Sequence, residues 1–387
     1  MLGPALGAGG ESCQPFSGHI SGGALTPRVN QVWGLTVIHD LPRGRFGAYL
    51  RAHYLNDRVS AAQRFSMGCG AIFMIQRVAA LDASLASRGA IAETDPSMLE
   101  EMVSLVAALK LDVVSLAEMR RRLAEGDLRR RFICFTFDGA YRSVQDIVLP
   151  LFQKRGLPFA VYVATDFLDN GALPWWLSLE VLLTECDRLS LDMDGEREEL
   201  RCRSRSEKLE AFTRLFRRLA KQDRQFSAAL LEAAMRKQGI DGRAAAERAL
   251  LSRDEVRQLG QRSLVTVASQ AGGAEPLSEL SFDRARESVQ QSLEALEAAT
   301  GTRPRHFAFP GGSRAKVSAR DIRIVGDLGL DTAVTSIEGA LWPEHKRELM
   351  SLPRIALDND PATLVRALML SGASLAAGGP AIQKAAG

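Results

Sequence analysis

Phe135-Thr136-Phe137-Asp138-Gly139-Ala140-Tyr141-Arg142 closes an apolar run that begins at Phe132, and it closes that run on a carboxylate followed by glycine. Short, aromatic and β-branched, the run Phe132 to Phe137 predicts a buried strand. Helical spacing follows around Val144 to Lys154 and stops at Gly156, after which Pro158 to Ala164 forms a second apolar run. Strand, helix and strand in that order predict a βαβ unit with parallel pairing, because parallel strands need a crossover connection. Asp138 then stands at the C-terminal end of its strand, where parallel α/β folds place their chemistry.

Working outward, Ala71 to Ile75 is a short apolar run, Ser97 to Leu109 has helical spacing and Asp112 to Ser115 offers a short strand. Downstream strands are expected at Leu264 to Ala268, His306 to Phe309, Thr332 to Thr335 and Leu352 to Leu357. Helical patterns such as Val289, Leu293 and Leu296 separate them. The stretch from Trp175 to Arg262 is highly charged and reads as largely helical, with Leu209, Phe212, Leu215, Phe216 and Leu219 on one face. It is expected to be an insertion between two strands. The alternation predicts a parallel barrel or an open parallel sheet.

Residues 1–64, rich in Gly, Pro and Ser at the start, read as a weakly ordered extension, 65–375 as the barrel with its insertion at about 175–262, and 376–387 as a flexible tail. The chain has 387 residues, 46% hydrophobic and 25% charged, enough for one large α/β domain. With 49 basic and 46 acidic residues the net charge is only +3, so no global field draws in nucleic acid or an anionic membrane. Five cysteines, odd in number and without a CxxC pair, argue against a disulfide framework or a cysteine zinc site. The first positive charge is Arg28, no basic leader precedes an apolar core, and no run reaches transmembrane length. A cytoplasmic protein is expected.

The stretch around Asp138 resembles the first motif of the polysaccharide deacetylases, the NodB homology family, which reads Thr-Phe-Asp-Asp-Gly-Tyr. Cys69 to Val78 is similar to that family's opening strand, with Gln76 in the place of a histidine, and Pro158 to Thr165 resembles its second strong strand. Val265-Thr266-Val267-Ala268-Ser269 is similar to the strand before the His-(Ser/Thr)-x-x-His motif, and Gln270 and Ala274 then fall on the two histidine positions. Arg305 to Gly312 resembles the Arg-x-x-x-x-Pro motif, and Leu352-Pro353-Arg354-Ile355 a late strand.

The resemblance implies a deformed parallel (β/α) barrel of the deacetylase type with a helical insertion. It implies Asp138 as catalytic base, Arg305 as the arginine that orients it, and the Tyr141 backbone amide as an oxyanion donor. Trp176, Thr165 and Pro310 are the expected substrate contacts, and Asp138, Thr165, Gln270, Pro310 and Arg354 should border a common mouth. His306, next to Arg305 on a strand, should face the other way. The family uses a divalent metal such as zinc, but Gly139, Gln270 and Ala274 stand at the ligand positions, so no metal or other cofactor is expected here. A zinc hydrolase site needs about three protein ligands and an open position for water. Bound metal lowers the pKa of water from about 15.7 to about 7, roughly 12 kcal/mol of activation that a lone aspartate does not supply.

Three readings follow. The inherited activity is hydrolysis of the acetamido group of an N-acetylated sugar. The second is a non-catalytic saccharide-binding or regulatory protein that keeps the groove, and the third a metal-free amide hydrolase. The partner in each case is a saccharide or another small amide.

Overall fold

The computed structural model describes residues 68–371 apart from 81–84, 86–92, 170–172, 194 and 274. The expected extension at 1–64, the tail at 376–387 and the position of Ala274 lie outside the described residues.

Seven strands build the core: β1 (Gly70–Ile75), β2 (Phe132–Asp138), β3 (Phe159–Val163), β4 (Val265–Ser269), β5 (His306–Ala308), β6 (Thr332–Glu338) and β7 (Leu352–Ala356). Each pairs in parallel with the next in sequence, and β7 returns to β1, so the sheet closes on itself. The short strand Asp112–Val113 adds to the start of β2, and the pairing of β6 with β7 slips register between Val334 and Glu338. The barrel is therefore closed but not regular.

Strand alternation sorts the side chains into two layers. Along β2, Ile133, Phe135 and Phe137 point outward to the helices, while Phe132 and Cys134 share the barrel interior with Ile72, Ala160, Tyr162, Ala268, Ala308 and Val334. The outer layer is dominated by aromatic rings: Phe152, on helix Leu149–Arg155, meets Phe135, Phe137 and Phe159 edge-on with centroids 5.1 to 5.8 Å apart. Such pairs contribute about 0.5–1.5 kcal/mol each beyond their buried area. Leu116, Met119 and Leu123 of helix Leu116–Glu125 join the interior cluster with Cys69 and Phe132 and so close the N-terminal end of the barrel. The C-terminal ends of the strands are left as an open mouth.

The crossover after β2 begins with a π-helical turn, Val144–Val148, before helix Leu149–Arg155. Pro150 has no N–H to donate to a regular helical ladder, and the Leu149 amide reaches back to the Val144 carbonyl instead.

The insertion follows β3. It contains helices Trp175–Glu185, Arg205–Leu219, Arg224–Lys237 and Gly242–Ala249 around their own apolar cluster. It is less uniformly helical than its charge pattern predicts, because Arg188–Met193 and Glu196–Arg201 pair as an antiparallel hairpin. Leu189, Leu191 and Met193 alternate into the insertion's core, and the sequence between the two strands carries Asp-Gly, a dipeptide that favours hairpin turns. The last helix of the stretch, Arg253–Gly260, buries Val256 and Leu259 in the barrel's own outer layer.

Side-chain contacts help tie the insertion to the mouth. Arg77, just past β1, forms a two-pronged pair with Glu180 of helix Trp175–Glu185, at 2.7 and 2.9 Å, and also pairs with Glu93. The indole N–H of Trp176 donates to the Tyr141 hydroxyl at 3.1 Å.

Candidate functional site

Asp138 ends β2 facing inward, as the alternation Phe132, Cys134, Thr136, Asp138 requires, and is 4% exposed. Its partner is Arg354 of β7. Nη1 donates to Oδ1 at 2.7 Å and Nη2 to Oδ2 at 2.8 Å, while Nε donates to the Thr335 carbonyl at 2.8 Å. The Arg354 guanidinium lies 5.5 Å from the centroid of the Tyr162 ring. A fork that matches both carboxylate oxygens fixes the acid's orientation. Burial pushes the Tyr162 phenol well above its usual range, and its hydroxyl has no hydrogen-bond partner among the described residues.

Arg305 does not take this role. It precedes β5 at the closed end of the barrel, pairs with Asp331 at 2.8 and 2.9 Å and is largely exposed. The reason is strand phase: Phe307 packs outward, so His306 and Ala308 face inward, the opposite of the expected orientation. His306 binds Thr332 through Nδ1 at 2.8 Å, and burial holds its pKa down at about 4. Arg354 was legible as a mouth residue but not as the clamp. The available signal was a charged residue inside the apolar strand Leu352-Pro353-Arg354-Ile355, which needs a buried partner.

Gly139 follows Asp138 with φ at +94°, and a Cβ at that position would lie 2.8 Å from Cε2 of Tyr141. Tyr141 is buried and sits in an isolated bridge with Leu250: the flanking Arg142 amide and Ala140 carbonyl bond to Ala249 and Leu251. The Tyr141 amide itself donates to no acceptor among the described residues.

Above the pair lies a cleft of about 390 Å³, of the size of small-molecule sites. Its walls come from Trp175, Trp176 and Phe216 of the insertion and from Phe167 and Pro310 of the barrel loops; Gln76, Gln270, Asp138 and Tyr141 also line it. Thr165 lines an adjoining outer cleft and is bonded to the Ala271 carbonyl. Of the expected site residues, Asp138, Tyr141, Trp176 and Pro310 share one cleft, Thr165 borders the next, and Arg305 is elsewhere. Phe167, Phe216, Gln222, Arg224 and Lys316 complete the inner cleft and carry no motif that would have marked them.

Asp166, at the foot of the outer cleft, packs on the turn Gly272-Gly273, where an added Cβ would come within 2.6 and 2.9 Å of its oxygens. Partial desolvation raises its pKa.

The side chains at the mouth do not fit a divalent metal. Gly139 has no donor atom, Gln270 offers only a neutral amide, Ala274 is aliphatic in the sequence, and both Asp138 oxygens are taken by Arg354. Among the described residues no three His, Cys, Asp or Glu side chains converge as a ligand set.

No protein-family model matches the sequence, and no curated protein does. Solved structures do match the fold. The Streptococcus pyogenes deacetylase PplD, solved in complex with acetate, is 14% identical with a TM-score of 0.51, covering 77% of this chain and 96% of that one. A de-N-acetylase from Aggregatibacter actinomycetemcomitans is 12% identical with a TM-score of 0.49, covering 77% of this chain and 99% of its own. IcaB from Ammonifex degensii is 13% identical with a TM-score of 0.48 over 79% of this chain and 97% of its own. The closed seven-stranded parallel barrel with its flanking helices is the NodB-like polysaccharide deacetylase fold.

Proposed function

We propose that this chain binds an N-acetylated saccharide at the barrel mouth without hydrolysing it, as a non-catalytic relative of the deacetylases whose fold it has. The observation that carries this reading is the make-up of the inner cleft. Aromatic rings of Trp175, Trp176 and Phe216 stand beside neutral amides from Gln76 and Gln270, and glycine and glutamine stand where the resemblance puts metal ligands. Rings of this kind suit the apolar faces of pyranoses, and amides suit hydroxyls and acetamido groups. The unbonded Tyr141 amide is a donor for an acetamido carbonyl. Asp138, gripped on both oxygens, orders the floor of the cleft rather than acting as a base. That structural neighbours are deacetylases, one of them solved with acetate, supports an acetylated ligand.

Isothermal titration with N-acetylglucosamine oligomers and, separately, with zinc tests this, alongside an acetate-release assay. Sugar binding without stoichiometric zinc and without acetate is the expected result, and Trp176→Ala should weaken sugar binding roughly tenfold. Stoichiometric zinc with acetate release would restore the inherited activity. Acetate release without metal would make the chain an amide hydrolase of another kind.

A further inference from the structure

We propose that the saccharide recognised at the mouth carries an anionic substituent, a carboxylate or a phosphate; this rests on the reading of the inner cleft as a saccharide site. Among the described residues only three charged side chains line that cleft: Asp138, Arg224 and Lys316. Asp138 is matched by Arg354 on both oxygens and contributes no net charge. Lys316 reaches a single carboxylate, Glu279, at 3.7 Å, and both ends of that pair are 40% exposed or more. Such a contact is too loose and too wet to neutralise it.

Arg224 is the more telling residue. It opens helix Arg224–Lys237, where Asp223 caps the Phe226 amide, and it is half-buried. Among the described residues its guanidinium has no hydrogen-bond or ion-pair partner, although a fork of donors is a demanding group to leave unmatched at a cleft wall. Two cations thus line one cleft that no uncompensated carboxylate of the described residues enters, and their fields add there. Guanidinium and ammonium are also the groups that bind carboxylate and phosphate oxygens through charge-assisted hydrogen bonds.

The outer cleft differs. Asp166, Asp223 and Glu275 line it beside the same Arg224 and Lys316, so its charges offset one another. The anionic substituent is therefore assigned to the inner cleft, beside the saccharide.

The test is binding of the full chain to four probes: a neutral N-acetylglucosamine trimer, an oligosaccharide of equal length bearing a uronate, an N-acetylated sugar phosphate, and inorganic phosphate. At low salt one of the acidic saccharides should bind roughly tenfold tighter than the neutral trimer. The preference should shrink at high salt and vanish in Arg224→Gln/Lys316→Gln, whose fold is checked by circular dichroism. The uronate and phosphate arms identify which anion is used. Equal binding of neutral and acidic saccharides, or a preference that survives the double variant, overturns the inference and leaves the saccharide reading intact. Inorganic phosphate binding as tightly as the sugar phosphate overturns it in favour of a bare ion site. Failure of every saccharide to bind overturns the saccharide reading and this inference with it.

Discussion

Arg354, on the strand two places from Asp138 around the barrel, holds both oxygens of that carboxylate in a site from which water is almost excluded. A pair so buried contributes little net stability while intact, because desolvation offsets most of the attraction, but breaking it strands a charge. Arg354→Ala should therefore destabilise the fold by about 3–5 kcal/mol. Arg305→Ala, which removes a largely exposed partner of Asp331, should have a small effect. Urea unfolding of the two variants side by side checks this; equal effects would refute it.

The contact between insertion and barrel makes a second prediction. Arg77→Met removes the guanidinium that the buried Glu93 and Glu180 share, which should lower stability by about 3 kcal/mol. Amide exchange in helix Trp175–Glu185 should rise more than in helix Phe282–Thr300, because the first helix loses its anchor and the second does not.

His306 predicts a pH dependence. Its folded pKa of about 4 lies below the ordinary 6.5, so between those values the unfolded chain holds a proton that the folded one lacks. Stability then falls as pH drops from about 6.5 to about 4, by roughly 3 kcal/mol at about 1.36 kcal/mol per unit, and no further below that. His306→Gln should remove this part of the acid slope. An unchanged profile would show that the imidazole titrates normally.

Gly139→Asp tests the mouth itself. A non-glycine residue held at this positive φ costs roughly 1–3 kcal/mol, and its Cβ also meets the Tyr141 ring. The variant carrying Gly139→Asp, Gln270→His and Ala274→His should bind no zinc in equilibrium dialysis until Tyr141→Ala is added. Zinc binding by the triple variant alone would mean that the turn yields easily.

The parts of this molecule that could be read from sequence are those set by short-range pattern. Apolar runs with helical stretches between them gave the strands of the barrel, and the run ending at Asp138 put that carboxylate at the mouth. What escaped depends on phase and on contacts between distant segments. Whether Arg305 or His306 faces inward turns on a single residue of strand phase, and only the outward packing of Phe307 decides it. The grip of Arg354 on Asp138 joins positions 216 residues apart, and that of Arg77 on Glu180 spans 103. The hairpin at Arg188–Met193 and Glu196–Arg201 left a signal in its alternation and in the Asp-Gly dipeptide of the sequence, but its high charge resembled a solvated helix face.

The left-handed turn at Gly139 also imposes an order on substitution at the mouth. An acidic residue entering there meets a ring already in place and a backbone of the wrong hand, so that substitution alone lowers stability. Tyr141 would have to give way beforehand, and its hydroxyl is the acceptor for Trp176. The cost of an acidic residue at position 139 therefore depends on whether Tyr141 has already changed.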